Sequence, residues 1–343
     1  MSEITVKEKP ILYLVRPVHL PDLERISKEE LRDLAIVRTE EEKTGRELGR
    51  ILRDATAIIV DADTNMTEDV IDEMEKCKII VAASVGFDHI DLNAARRKGI
   101  CVSNVPGYCA EEVADHAIGL LLAVARKIFI LNKITRSGRW DDWKAAEPVY
   151  RLRGRTLGII GLGRIGTAVA LRGKVFGLNV ITFDPYIPIG RDTALGVHSV
   201  SFDILLRDSD AISIHVPLTD ETRYMIRSRE FERMKTGVFI INTSRGAVID
   251  HDALANGLKS GKVAGAGIDV FEKEPPNTDD PLLKMDNVVT TPHTGFLSVE
   301  SQRDRQTMAV DEVRRILKNE RPRSVVNLNI FTSPRKTEVK RLH

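Results

Sequence analysis

The chain has 343 residues, 42% of them hydrophobic and 29% charged, a composition that excludes a disordered or fibrous protein and leaves room for two domains of ordinary size. Lys and Arg number 51 against 50 Asp and Glu, a formal charge of +1, so neither nucleic acid nor an anionic membrane is called for as partner. The longest apolar stretch, 117–125, falls far short of the roughly 20 residues of a membrane-spanning helix. The charged first ten residues lack the apolar core of an export signal. Three cysteines, Cys77, Cys101 and Cys109, form no Cys-x-x-Cys pair, which argues against a disulfide framework or a zinc or other metal site and for a reducing cytoplasm.

In chain order, short Ile- and Val-rich runs alternate with amphipathic segments, the mark of parallel α/β sheets. Strands are expected at Ile11–Val15, Ala57–Val60, 79–83 and 100–103. Helical segments lie between them at 40–53, where Leu48, Ile51 and Leu52 share a face, and at 68–76. A long helix is expected over 110–132, with Glu111 and Glu112 in its first turn, where the helix dipole favours them. Its stripe of Ile118, Leu121, Leu122 and Ala125 is too apolar for solvent, which places it at a domain or subunit boundary. Six further strands follow, at Thr156–Ile160, 180–183, 211–215, Val238–Asn242, 264–269 and Val288–Thr290. Together they make a full doubly wound sheet. A last helix, 298–318, carries the chain back to the first domain, and 331–343 reads as a basic, mobile tail.

The most specific local signal is TLGIIGLGRIGTAVA, 156–170. A buried strand runs into Gly161-Leu-Gly163-Arg164-Ile165-Gly166 and then into a helix. Gly161 serves the tight turn, Gly163 the close approach of a pyrophosphate, and Gly166 the packing of helix on strand. Phosphate would sit over the helix N-terminus. The next strand ends in Asp184, 18 residues past Gly166, placed to bind both ribose hydroxyls and to repel a 2′-phosphate. The cofactor expected is therefore NAD rather than NADP. The ordinary alternative is that Asp184 merely starts an Asp-Pro turn. The strand at 211–215 ends in His215-Val-Pro217, a turn that should flank the cofactor. His215 itself reads equally well as a satisfied buried histidine.

Three more strand ends carry polar residues that a core would not choose: Asn242-Thr243-Ser244-Arg245-Gly246, Asp269-Val-Phe-Glu-Lys-Glu274-Pro275 and Thr291-Pro292-His293. Oxidising an alcohol next to a carboxylate needs a cation for the carboxylate, a proton acceptor for the hydroxyl and a group to hold the acceptor. Arg245, His293 and Glu274 supply the three. Singly, each has a plainer reading as a surface ion pair, a structural histidine or a solvated turn. Their joint placement at successive strand ends after a dinucleotide fingerprint favours catalysis. An ionised Glu beside His favours imidazolium and fixes the tautomer. His116, on the long helix, is assigned to helix packing.

With these residues in hand the sequence resembles the D-isomer-specific 2-hydroxyacid dehydrogenases. GLGRIG, FDPY, HVPLT, NTSRG, DVFEKEP and TPH occur in the family's order, and the likeness runs over about 11–327. Within the family, DPY, the run RGRTLGIIGLGRIGTAVALRGKVFG and Phe296 are similar to the branch of the C-terminal-binding-protein corepressors. The resemblance implies that Arg245 anchors the substrate's carboxylate and carbonyl, that His293 is the acid/base and Glu274 its partner, and that Asp269 holds the nicotinamide carboxamide. Thr243, Ser244 and Gly246 would shape the loop beside the ring. Ser84-Val85-Gly86 would grip the substrate carboxylate through backbone N–H groups, with Ser84 standing where the family usually has Gly and His89 where it usually has Asn. Phe296 would line the substrate pocket.

Asn104-Val-Pro-Gly107 matches the crossing between domains. The resemblance thus implies two doubly wound parallel-sheet domains, with the Rossmann-like cofactor domain, 105–296, inserted in a substrate domain formed by 1–104 and 297–330. The expected function is NAD-dependent reduction of a small 2-oxo acid or oxidation of a 2-hydroxy acid. The alternatives are an NAD(H)-sensing corepressor-like protein and a phosphoglycerate dehydrogenase, the latter disfavoured because the chain ends soon after the return helix. A formate enzyme is disfavoured because His293 is partnered by Glu274, not Gln. A homodimer is expected, built on 110–132 and the arm 133–150, where Trp140 and Trp143 sit among charged residues.

Overall fold

The computed structural model describes residues 8–327 apart from Glu42 and Ile189; the expected basic tail lies outside them. The chain divides into two compact units, one running through Cys109 and resuming at Ser298, the other Ala110–Leu297. The first break falls five residues later than the boundary expected at 104/105, and the second one residue later than that expected at 296/297.

The first unit is a parallel sheet of β1 (Ile11–Val15), β2 (Ile36–Glu40), β3 (Ala57–Val60), β4 (Ile79–Ala82) and β5 (Cys101–Asn104), in the order β2-β1-β3-β4-β5. Alternation along the strands sends Tyr13, Val15, Ile58, Val60, Ile80, Ala82 and Val102 to one face. They pack there with Leu48, Leu52, Val70, Ile71, Ala94 and Ala95 from the helical segments. Helix Val299–Leu317 packs on β3 and β4 and against helix Leu23–Glu30. The strands β3 and β4 are buried at every position, and so read as unbroken apolar runs. β2 was not expected: as an edge strand, Ile-Val-Arg-Thr-Glu is buried at none of its positions and has no apolar run to betray it.

The second unit contains β6 (Thr156–Ile160), β7 (Asn179–Phe183), β8 (His198–Ser199), β9 (Ala211–Ile214), β10 (Val238–Asn242), β11 (Val263–Ile268) and β12 (Val288–Thr290). All are parallel, in the order β12-β11-β10-β9-β6-β7-β8. The six expected strands are joined by β8, an exposed two-residue edge. The order reverses between β6 and β9, the switch point where doubly wound sheets bind ligands beyond their strands' carboxyl ends. Ile160, Ile212, Ile214, Ile240 and Ile268 pack with Leu205, Phe231 and Leu254 on one face. Leu157, Ile159, Phe239 and Ile241 pack with Ile118, Leu121, Ala168 and Val169 on the other.

The long helix differs from expectation. It is two helices, Ala110–Ala125 and Ile128–Arg136, with Lys127 between them in the left-handed region at φ 54°. Of its apolar stripe, Ile118, Leu121 and Ala125 are buried in the unit's own core and Leu122 is partly buried. Glycines in β11 let it come close: a Cβ on Gly267 would lie 2.7 Å from the Leu120 Cβ.

Candidate active site

The glycine loop leaves β6 at Gly161, whose φ of 90° suits glycine and whose N–H donates to the Phe183 carbonyl at 2.9 Å. A Cβ there would lie 2.7 Å from the His215 carbonyl oxygen. On Gly166 a Cβ would lie 1.9 Å from the Gly161 oxygen, so the helix can sit on the loop only with glycine at that position. At Gly163 a Cβ meets no atom within 4 Å. Gly163 is also the side-chain-free N-cap of helix Arg164–Val175, so backbone donors and empty space coincide where a pyrophosphate would approach. Arg164 is exposed and Ile165 half-buried behind it.

Asp184 does two things at once. Oδ2 accepts the Leu162 N–H at 2.8 Å, clamping the glycine loop, and Oδ1 accepts the Tyr186 N–H at 2.9 Å, forming the Asp-Pro turn. Each oxygen keeps a lone pair for a further donor. His215 resolves toward the satisfied reading: its Nε2 lies 2.8 Å from Ser213 Oγ, and burial pushes its pKa down to about 3, keeping the ring neutral. Its contribution to the loop is the carbonyl packed on Gly161. Pro217 is exposed, its carbonyl accepting the Thr222 hydroxyl at 2.6 Å.

Beyond β10, Asn242 is 1% exposed and folds the next turn. Its Oδ1 accepts the Ser244 N–H at 3.0 Å and hydroxyl at 2.8 Å, while Nδ2 donates to the Arg245 carbonyl at 2.9 Å. Arg245 is half-buried, with Nη1 donating to the Ser244 carbonyl at 2.8 Å. The buried Thr243 Oγ1 has no hydrogen-bond partner among the described residues. An orphaned hydroxyl at the end of β10 and an open cradle at Gly163 are features a dinucleotide would satisfy.

Gly246 presses the Arg245 turn against the loop after β11, since a Cβ there would lie 2.0 Å from the Phe271 carbonyl carbon. In that loop Glu274 accepts the Phe271 N–H through Oε1 at 2.9 Å and holds His293 Nδ1 through Oε2 at 2.7 Å. A carboxylate only accepts, so Nδ1 carries the proton and Nε2 is the ring nitrogen left to exchange one. The pair remains reachable by solvent, His293 40% and Glu274 37% exposed. Phe296 stands edge-on to the imidazole at 6.5 Å.

Asp269, directly after β11, has a bracing task that its motif did not announce. It is 2% exposed, and its carboxylate accepts the Thr291 hydroxyl at 2.6 Å and the N–H groups of Thr294 and Gly295 at 2.9 Å. Its own carbonyl takes the His293 N–H at 2.8 Å. Burial alone would raise its pKa, but hydrogen bonds from His116, Thr291, Thr294 and Gly295 outweigh it and hold the carboxyl below its usual range. These bonds pin the turn on which His293 adopts φ 51°. Asp269 thus braces the turn that carries the imidazole, and Oδ2, which accepts the Gly295 N–H, keeps a lone pair for a further donor such as a carboxamide. His116, set aside as packing, has Nε2 2.8 Å from Thr291 Oγ1 and 3.5 Å from Asp269 Oδ1. Sequence reasoning missed both His116 and Thr291 as members of this brace, and only the polar Thr291 directly before Pro292-His293 hinted at it.

In the first unit the loop after β4 holds Ser84, 7% exposed, with Val85 and Gly86 half-buried. The Ser84 hydroxyl donates to the Gly86 carbonyl at 2.6 Å, so the serine found where the family usually has glycine closes the loop on itself. Asp91 then caps helix Leu92–Lys98, accepting the N–H groups of Asn93 and Ala94.

Comparison with known proteins bears on this arrangement. The sequence profile described as D-isomer specific 2-hydroxyacid dehydrogenase, NAD binding domain, matches residues 118–295. The chain is 43% identical over 291 residues to D-3-phosphoglycerate dehydrogenase of Archaeoglobus fulgidus, covering 84% of this chain and 55% of that one. It is 37% identical to glyoxylate reductase of Korarchaeum cryptofilum over 94% of this chain and 97% of the relative. It therefore spans about half the length of the phosphoglycerate dehydrogenase and nearly all of the glyoxylate reductase. Among solved structures, a glyoxylate reductase from Paecilomyes thermophila superposes with a TM-score of 0.84 at 30% identity, covering 93% of this chain and 99% of that one.

Proposed function

Because the chain belongs to the D-isomer-specific 2-hydroxyacid dehydrogenase family, with the family's NAD-binding domain in its second unit, we propose that it interconverts a small 2-oxo acid and the D-2-hydroxy acid. The observation that carries this reading is the His293 imidazole, held through Nδ1 at 2.7 Å by Glu274 with Nε2 left for substrate. NAD, bound over the glycine loop, supplies or accepts the hydride at the substrate's 2-carbon. His293 gives a proton to the carbonyl oxygen in reduction and takes one from the hydroxyl in oxidation. Glu274 holds the ring in the tautomer that can do so. Arg245 binds the substrate carboxylate and polarises the carbonyl, its planar guanidinium offering two parallel donors. Thr243 and Ser244 shape the turn beside the nicotinamide, and Phe296 limits water at the imidazole. The first unit offers the Val85 and Gly86 N–H groups, a pair suited to a carboxylate. Asp184 selects NAD by binding the ribose hydroxyls and repelling a 2′-phosphate.

Glyoxylate or hydroxypyruvate size is favoured for the substrate by the glyoxylate reductase matched along nearly its whole length. Steady-state oxidation of NADH on a panel of glyoxylate, hydroxypyruvate, pyruvate and 3-phosphohydroxypyruvate tests the reading. Turnover on one of the smaller acids is expected. Absence of NADH oxidation with every 2-oxo acid would overturn the enzyme reading in favour of NAD(H) sensing of the corepressor kind. NADPH should bind at least about tenfold more weakly than NADH, and equal binding would refute the role given to Asp184.

We further propose a homodimer through the arm after helix Ile128–Arg136. Trp140 and Trp143 are 76% and 54% exposed and so are not packed into their own unit; with Ile128 and Val149 they leave apolar surface suited to a second copy. Light scattering at micromolar concentration should give a dimer mass, and a monomer would refute it.

A further inference from the structure

We infer that Asn104 is a positioning residue for the substrate carboxylate: with the main-chain N–H of Val105, it orients the peptide groups after Ser84 so that the Val85 and Gly86 N–H groups face one way, as an anion cradle. This rests on the proposed reading of that loop as the carboxylate grip, and it assigns the device that builds the grip.

A trans peptide is planar, with its C=O and N–H pointing in opposite directions. The carbonyl of Ser84 accepts the Val105 N–H at 3.1 Å, and the carbonyl of Val85 accepts Asn104 Nδ2 at 2.7 Å. Both acceptors therefore turn toward the end of β5. The N–H groups of the same two peptides, those of Val85 and Gly86, must turn away from it. Neither donates to any acceptor among the described residues. Two adjacent N–H groups that share a direction and have no acceptor among the described residues suit a carboxylate.

The identity of Asn104 follows from its second bond. Its side chain is 6% exposed, and Oδ1 accepts the Ser324 hydroxyl at 2.5 Å, which leaves Nδ2 as the end that faces Val85. Ser324 is itself fixed, because its carbonyl accepts the Asn104 N–H at 3.2 Å and the buried Glu312 accepts the Arg323 N–H at 3.0 Å from helix Val299–Leu317. Asp at 104 could not donate to Val85, and Ala or Leu could neither donate nor accept.

Kinetics and a direct readout of the loop amides test this together. Asn104→Ala should raise KM for the best 2-oxo acid about tenfold, while kcat stays within about threefold and NADH affinity is unchanged. Asn104→Asp should act in the same direction. Ser324→Ala, which keeps the donor but frees the amide to rotate, should raise KM only about two- to threefold, and it carries the test if the Asn104 variants fail to fold. In the full-length, NADH-loaded protein, the amide resonances of Val85 and Gly86 should shift saturably with oxamate, and the midpoint should rise about tenfold in Asn104→Ala. If these amides do not respond in the wild type, the loop is not the carboxylate site and the reading of function fails at that point. If they respond and Asn104→Ala or Ser324→Ala leaves both midpoint and KM unchanged, the positioning role is wrong. A KM rise matched by an equal loss of NADH affinity would also overturn it, since that marks a general disturbance.

Discussion

At the carboxyl end of β12 an imidazole held by Glu274 stands on a braced turn: the Asp269 carbonyl takes the His293 N–H, and the N–H groups of Thr294 and Gly295 lock onto the Asp269 carboxylate. At the carboxyl end of β4 the order is reversed. There the Val85 and Gly86 N–H groups have no acceptor among the described residues, and a side chain, Asn104, holds the Val85 carbonyl. One region sets polar side chains on a braced backbone; the other leaves main-chain donors open beside a side chain that holds their backbone. The first kind is written in the sequence as Arg, Glu and His. The second is nearly silent, because every residue except proline carries an N–H and only its direction is special.

The largest effect should come from breaking the first region at its reactive group. His293→Ala should lower kcat by about 10²- to 10⁴-fold with NADH binding intact, read from steady-state rates and cofactor titration. Wild-type turnover would remove His293 from the mechanism. Asp269→Asn sharpens the comparison, since the amide offers one acceptor oxygen to three donors. It should cost about ten- to a hundredfold in kcat with unchanged NADH affinity. A loss of NADH affinity at normal kcat would instead make contact with the cofactor its main role.

Backbone function can be tested in the second unit too, at the glycine loop. Gly163→Ala meets only open space, so its unfolding free energy should stay within about 0.5 kcal/mol while NADH affinity falls about tenfold. Gly166→Ala, blocked by the Gly161 oxygen, should destabilise the fold by about 1–3 kcal/mol. Denaturant melts with and without NADH separate the two, and equal behaviour would refute their different roles.

The smallest effect is expected at His215. Its pKa is lowered from 6.5 to about 3 by burial, so between those values the unfolded chain binds the proton that the folded one refuses. Stability should therefore fall as pH drops from about 6.5 toward 3. His215→Asn should flatten that slope in urea melts, and an unchanged slope would mean that burial of the ring does not hold its proton off.

Strands enclosed on both faces, such as Ala57–Val60 and Val238–Asn242, were legible because nothing in them touches water. β2 and β8 were not, because edge strands keep polar residues. The break at Lys127 escaped notice because a left-handed turn is normally announced by glycine. At the candidate site the residue types and their strand ends could be read in order. What could not be read was how Asp269 spends its lone pairs, since one member of its brace, His116, lies 175 residues from Thr291, and no motif spacing encodes such a pairing.

Helix Val299–Leu317 has a consequence for the chain as it is made. It supplies the cover for β3 and β4 and brings Arg305 to Asp61, each side chain only 3% exposed. Yet it is synthesised after the whole of the second unit. At 5–20 residues per second, the translation of 110–297 takes roughly ten to forty seconds. During that time the nascent first sheet holds one apolar face bare and Asp61 without its cation. The second unit, contiguous in sequence, can complete its own core meanwhile. The first cannot close its own core until helix Val299–Leu317 emerges.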